Sequence, residues 1–109
     1  MESGEFEIVV ETSGAGREIA VRGDLDLATV GRLRPALDEG LAAGEATTLV
    51  LAECTFLDSS ALKVIADTSR RAGETGSRFI VARPSPQVAR VLELSGLDEI
   101  VSIDASDYP

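Results

Sequence analysis

Two stretches of this sequence hold most of its potential chemistry: Asp24-Leu25-Asp26, and Asp58-Ser59-Ser60 followed by Ala61, Leu62 and Lys63. The second stands between the apolar run Leu49-Val50-Leu51-Ala52 and the helical spacing of Leu62, Ile65, Ala66 and Ser69, so its serines fall where a strand ends and a helix begins. Free backbone N–H groups and the positive end of the helix dipole favour negative charge there, and Ser59 is placed to be the N-cap. A hydroxyl in that position can cap, catalyse or be phosphorylated. Asp24 and Asp26 are a candidate acid–base pair, but Asp26 also stands where it can cap the helix that follows.

The chain contains no histidine and a single lysine, Lys63. A Ser-His-Asp triad is therefore impossible, and Lys63, one turn along an exposed helix, is not desolvated enough to be a base at neutral pH. Without histidine and with one cysteine, the supply of metal ligands is poor. Cys54 follows an apolar strand and is expected to be a small core residue rather than a nucleophile. These features point to a binding protein, not an enzyme, with no metal and no cofactor.

Ten basic against nineteen acidic residues leave a net charge of −9, which repels both a nucleic-acid backbone and an anionic membrane surface. No segment approaches the eighteen or so apolar residues of a membrane span. A lone cysteine and no signal-like opening segment suit the reducing cytoplasm. At 109 residues the chain is expected to be one domain, with an ordered core from about 5 to 103 and a polar tail over 104–109. Aromatic residues are only 4% of it, so the core must be aliphatic.

The elements that would position these residues follow from periodicity. Residues 5 to 11 alternate, with Phe6, Ile8 and Val10 inward, and residues 17 to 22 alternate again with Ile19 and Val21 inward. The turn residues between them make a hairpin. A first helix carries Leu27, Val30, Leu33, Leu37 and Leu41, with a kink or a separate first turn expected from Pro35. Residues 47 to 52 lack alternation and suit a parallel strand covered more fully than the first two. A second helix runs from about Ser60 to Ala72 and ends at Gly73 or Gly76, a fourth strand covers 79 to 82, and a third helix starts after the Ser85 cap and stops at Gly96. Residues 100 to 103 form a fifth strand. The predicted fold is α/β: an N-terminal β-hairpin followed by right-handed βα crossovers, giving a mixed, mostly parallel five-stranded sheet with helices mainly on one face.

Gly23-Asp24-Leu25-Asp26, Phe56-Leu57-Asp58-Ser59-Ser60-Ala61-Leu62 and Ser95-Gly96-Leu97 resemble, in order and spacing, three marks of the STAS-domain anti-sigma-factor antagonists of bacteria. The resemblance spans about Phe6 to Ile103. It implies partner switching: the unphosphorylated antagonist binds an anti-sigma factor that is also a serine kinase, the sigma factor is released, phosphorylation ends the binding, and a serine phosphatase restores it. Such switching governs stress or sporulation transcription. By the match Ser59 is the phosphoacceptor, and Asp24, Asp26, Asp58, Ser60, Ala61, Leu62 and Lys63 share the partner surface. ATP belongs to the kinase. The family carries glycine where this chain has Ala61 and Lys63, which leaves a rival implication: a constitutive STAS module of a lipid-transport or signalling complex, not switched by phosphate.

Overall fold

A computed structural model describes residues 6–104. Two antiparallel strands, β1 (Glu7–Ser13) and β2 (Gly16–Leu25), meet at the tight turn Gly14-Ala15, as the alternation and turn residues predict. Then come α1 (Val30–Ala42), β3 (Thr47–Leu57), α2 (Ser59–Thr75), β4 (Phe79–Ala82), α3 (Pro86–Ser95), a 3-10 turn (Leu97–Glu99) and β5 (Ser102–Asp104). The sheet order is β1-β2-β3-β4-β5, and every pair after the hairpin is parallel. The predicted architecture is the observed one.

Strand parity explains the layering. Ile19 and Val21 of β2, Leu49 and Leu51 of β3, and Phe79 and Val81 of β4 share one buried cluster with Leu33 and Leu37 of α1, Ile65 of α2, and Val88 and Leu92 of α3. All three helices thus feed the same face of the sheet. Each such aliphatic side chain is worth about 1.5–3 kcal/mol when fully buried, which lets a core without tryptophan suffice. The opposite face carries a cross-strand row of charge, in which Arg22 lies 3.4 Å from Glu7 and 3.5 Å from Glu53. Such a row blunts a sheet face that no helix covers.

Several expectations shift in detail. Val10 points to the helix side but is 42% exposed, because β1 is an edge strand that the helices barely overlap. Helix α1 begins at Val30, and Leu27 lies in a separate turn before it, 79% exposed instead of on the apolar stripe. Helix α1 runs unbroken through Pro35, so the separate turn stands ahead of the helix and the proline does not interrupt it. Strand β5 starts at Ser102, Ile100 is exposed after the 3-10 turn, and Asp104 pairs with Ala82 where a tail was expected. The rest of that tail, and Glu5, lie outside the described residues.

Strand β3 runs five residues beyond the predicted end at Ala52, and two register shifts against β2 divide it. Its first half is buried almost throughout, and its second half takes a three-residue rhythm, with Leu51, Cys54 and Leu57 inward and Thr55 and Phe56 outward. Gly23 sits at the second shift with φ 102°, a left-handed conformation that glycine adopts at no steric cost. The half of β3 beyond its pairing with β4 is held by Ser85, whose amide donates to Leu51 O at 3.0 Å and whose hydroxyl donates to Cys54 O at 2.6 Å. Helix α2 closes at Gly76, φ 77°, with open space around its missing side chain. Gly76→Ala should therefore cost only backbone strain, about 1 kcal/mol in urea denaturation. A loss of twice that size would mean the position is packed.

Candidate functional site

The site forms at the C-terminal ends of the adjacent parallel strands β2 and β3, where the chain enters α1 and α2. It is organised by Asp58. This residue leaves β3 in an extended conformation, φ −108° and ψ −175°, and caps α2 with a carboxylate oxygen that accepts from the Ala61 amide at 3.1 Å. The same Oδ1 accepts the Ser60 hydroxyl. Its other oxygen, Oδ2, accepts from the Leu27 amide at 3.0 Å and so ties the β3–α2 junction to the β2–α1 turn. Backbone adds a second tie, from Asp58 N–H to Leu25 O at 3.3 Å.

Asp58, not Ser59, is thus the N-cap, because a carboxylate in that position answers the helix dipole with a full charge as well as a hydrogen bond. The anion site expected at this helix N-terminus is already filled by the chain's own side chain. Ser59 is instead the first helical residue, exposed, and its hydroxyl makes no hydrogen bond among the described residues. Asp26 likewise does not cap α1. Its Oδ1 accepts from the Ala28 amide at 3.0 Å and from the Thr29 hydroxyl at 3.2 Å, stabilising the turn that precedes the helix. Thr29 also donates to Asp24 O at 2.8 Å. Asp24 lies opposite Phe56 in the β2–β3 register and accepts from the Thr55 hydroxyl at 2.6 Å.

Three carboxylates therefore gather at the joined β2–α1 and β3–α2 junctions, Asp24 and Asp26 from the first and Asp58 from the second. Of the other residues matched by resemblance, Lys63 is exposed and Leu62 is half-buried against the core. Ala61 departs from its expected place in a partner surface: it is fully buried, on the helical stripe it shares with Val64, Ile65 and Thr68, so only its amide contributes to the site. Thr55, Thr29 and the exposed apolar pair Leu27 and Phe56 also belong here, although spacing put Leu27 on the stripe of α1 and none of the four was expected in the site. The Asp-Leu-Ala-Thr order around Leu27 is a turn signal that could have revealed two of them.

The Ser60 hydroxyl is the main cause that holds the Asp58 carboxyl below the usual range, with the Ala61, Leu27 and Ser60 amides adding to it against a contribution from burial. A depressed folded-state value means stability that is present above the unfolded value of about 3.9 and lost as pH falls through the folded one. The gap in urea midpoint between the wild type and Asp58→Asn should be full at pH 7 and shrink below about pH 4. A gap constant from pH 7 to pH 3 would contradict this hydrogen-bonding pattern. Cys54 is buried, and burial pushes its thiol up, away from nucleophilic thiolate. Among the described residues no cluster of metal-binding side chains occurs, and no helix is long and apolar enough to cross a membrane.

Known proteins resemble this chain over most of its length. A family model described as "Mlab, STAS domain" matches residues 8–102. The anti-sigma F factor antagonist of Paenibacillus polymyxa is 31% identical over 87 residues, which are 78% of this chain and 74% of that protein. The anti-sigma-F factor antagonist RsfB of Mycobacterium tuberculosis is 36% identical over 83 residues, covering 74% of this chain and 66% of that one. The crystal structure of an anti-sigma factor antagonist from Mycobacterium paratuberculosis superposes with a TM-score of 0.85 at 25% identity, covering 97% of this chain and 92% of that one. With most of its length matched by the family model and by two relatives above 30% identity, the chain belongs to the STAS-domain family of anti-sigma-factor antagonists.

Proposed function

We propose that this chain binds an anti-sigma factor with serine-kinase activity in the cytoplasm, thereby releasing a sigma factor, and that phosphorylation of Ser59 switches the binding off. The observation that carries this is the Ser59 hydroxyl itself: exposed, without a hydrogen bond among the described residues, on the first turn of a helix whose N-terminal donors are occupied by Asp58. Nothing needs to be broken to reach it. In the transfer step Ser59 Oγ attacks the γ-phosphoryl group of ATP held by the kinase, ADP leaves, and the hydroxyl proton passes to a base of the kinase. A serine phosphatase reverses the modification by hydrolysis.

The switch works through charge. A phosphate adds roughly −1.5 to −2 at neutral pH, on a surface that already holds Asp24, Asp26 and Asp58. A partner surface that accepts three carboxylates has to desolvate and balance the extra charge as well, and the complex weakens. The direct test mixes this chain with a purified complex of sigma factor and anti-sigma factor from its source organism. Free sigma factor in size-exclusion chromatography is the expected result. An intact complex at saturating antagonist, for every anti-sigma factor of that organism, would refute the proposal.

Lys63 favours the second reading, a constitutive module, because it places bulk and positive charge where the family has glycine. It also stands four residues after Ser59 on the same helical face, and helical side chains lean toward the N-terminus. Its ammonium is in reach of a phosphate on Ser59, so Lys63 should stabilise the dianion and lower the phosphate's second pKa from its usual value of about 6. Phosphorus NMR titration of phosphorylated wild type and Lys63→Met in low salt checks this. Identical titration curves would show that Lys63 does not touch the phosphate.

A further inference from the structure

We infer that Leu27 and Phe56 are the apolar anchors of the partner interface, and that the partner meets them with an apolar pocket rimmed by arginine or lysine. This deepens the antagonist reading of the site and rests on it. Leu27 is the most exposed large apolar side chain among the described residues, at 79%, and Phe56 is 49% exposed. Single exposed apolar residues are ordinary on protein surfaces. These two differ because both are presented by structure around Asp58.

The Leu27 amide is bound to Asp58 Oδ2, and its turn is pinned by Asp26 and Thr29, so the side chain is held outward by a fixed backbone. The helical spacing would have placed Leu27 on the buried stripe of α1; the turn removes it from the core and gains no packing in return. Phe56 is turned outward by the bulged half of β3, opposite Asp24. Asp58 stands two residues after Phe56 and in direct contact with the Leu27 backbone, and Asp24 lies opposite Phe56, so the apolar pair and the three carboxylates belong to the two junctions that Asp58 joins, next to Ser59 in sequence. Preorganised apolar groups lose little entropy on binding, and anchors of this kind commonly dominate an interface.

Charge complementarity fixes the chemistry of the partner. The carboxylates call for cations at the rim, while Leu27 and Phe56 call for a pocket that excludes water. The two sets should then divide the kinetics, with charges setting the association rate and its salt dependence and buried apolar contacts setting the dissociation rate.

The test measures binding kinetics by surface plasmon resonance of the full chain on each purified anti-sigma factor of the source organism. Leu27→Gln and Phe56→Gln keep the backbone bonds and should each raise the dissociation rate about tenfold or more, with association rates near wild type. Asp24→Asn keeps its oxygen for Thr55 and should lower the association rate and flatten its salt dependence. Leu94→Gln, at a residue 72% exposed on α3, is the control and should bind as wild type. Melting temperatures of the variants report that each is folded. Wild-type dissociation rates for both the Leu27 and Phe56 variants would overturn the anchors while leaving the antagonist function in place. A wild-type chain that binds no anti-sigma factor would overturn the function and the anchors together.

Discussion

Ser59→Asp should abolish binding to the cognate anti-sigma factor, while Ser59→Ala should retain it. Alanine removes a hydroxyl that makes no hydrogen bond among the described residues, at an exposed first-turn position, so the surface seen by a partner is little altered. Aspartate adds a fourth carboxylate beside Asp58, and like charge brought together in an interface costs enough to lower affinity by about a hundredfold or more. The aspartate acts oppositely on folding and binding. A carboxylate on the first turn of a helix interacts favourably with the dipole, so Ser59→Asp should melt no lower than wild type even though it does not bind. Calorimetry and thermal melting on the same samples separate the effects. Equal affinities for the two variants would leave only the constitutive module.

Asp58→Ala should have the next largest effect, because one side chain serves both loops of the site. Its loss removes the cap on the Ala61 amide, the acceptor for the Ser60 hydroxyl and the tether on Leu27. A lost helix cap in a domain of this size lowers Tm by roughly 4–8 °C. Binding should fall by about tenfold beyond what the missing charge explains, because the turn carrying Leu27 is no longer fixed. Asp58→Asn should lie between, since an amide presents one acceptor oxygen where two are used. Scanning calorimetry that finds the alanine variant as stable as wild type would mean that the cap and the tether carry no weight.

The topology was legible because each element obeyed a single rule. Alternation marked β1 and the first part of β2, a solid apolar run marked the start of β3, and Ser85 with Pro86 and Gly96 marked both ends of α3. The site was legible in its residues but not in its wiring. Asp58 and Ser59 are neighbours, and either can cap a helix; the choice depends on the backbone angles of the chain leaving β3, which no local pattern states. The outward turn of Thr55 and Phe56 depends on two register shifts between strands more than twenty residues apart in sequence. Asp24 found its partner in Thr55 by the same long-range pairing. Leu27 was misplaced because its spacing fits the stripe of α1, while the Asp26 and Thr29 side chains compete for the backbone and form a turn first.

The most direct measurement is phosphate mapping coupled to binding. The full chain is incubated with ATP and each serine-kinase anti-sigma factor of its source organism, the modified residue is located by mass spectrometry, and the phosphorylated form is purified and returned to the same anti-sigma factor in a calorimeter. The expected result is one phosphate, on Ser59, with binding heat present for the unmodified chain and absent for the phosphorylated one. Phosphate at any other residue, or a Ser59-phosphorylated chain that binds as tightly as the unmodified one, would contradict the switch.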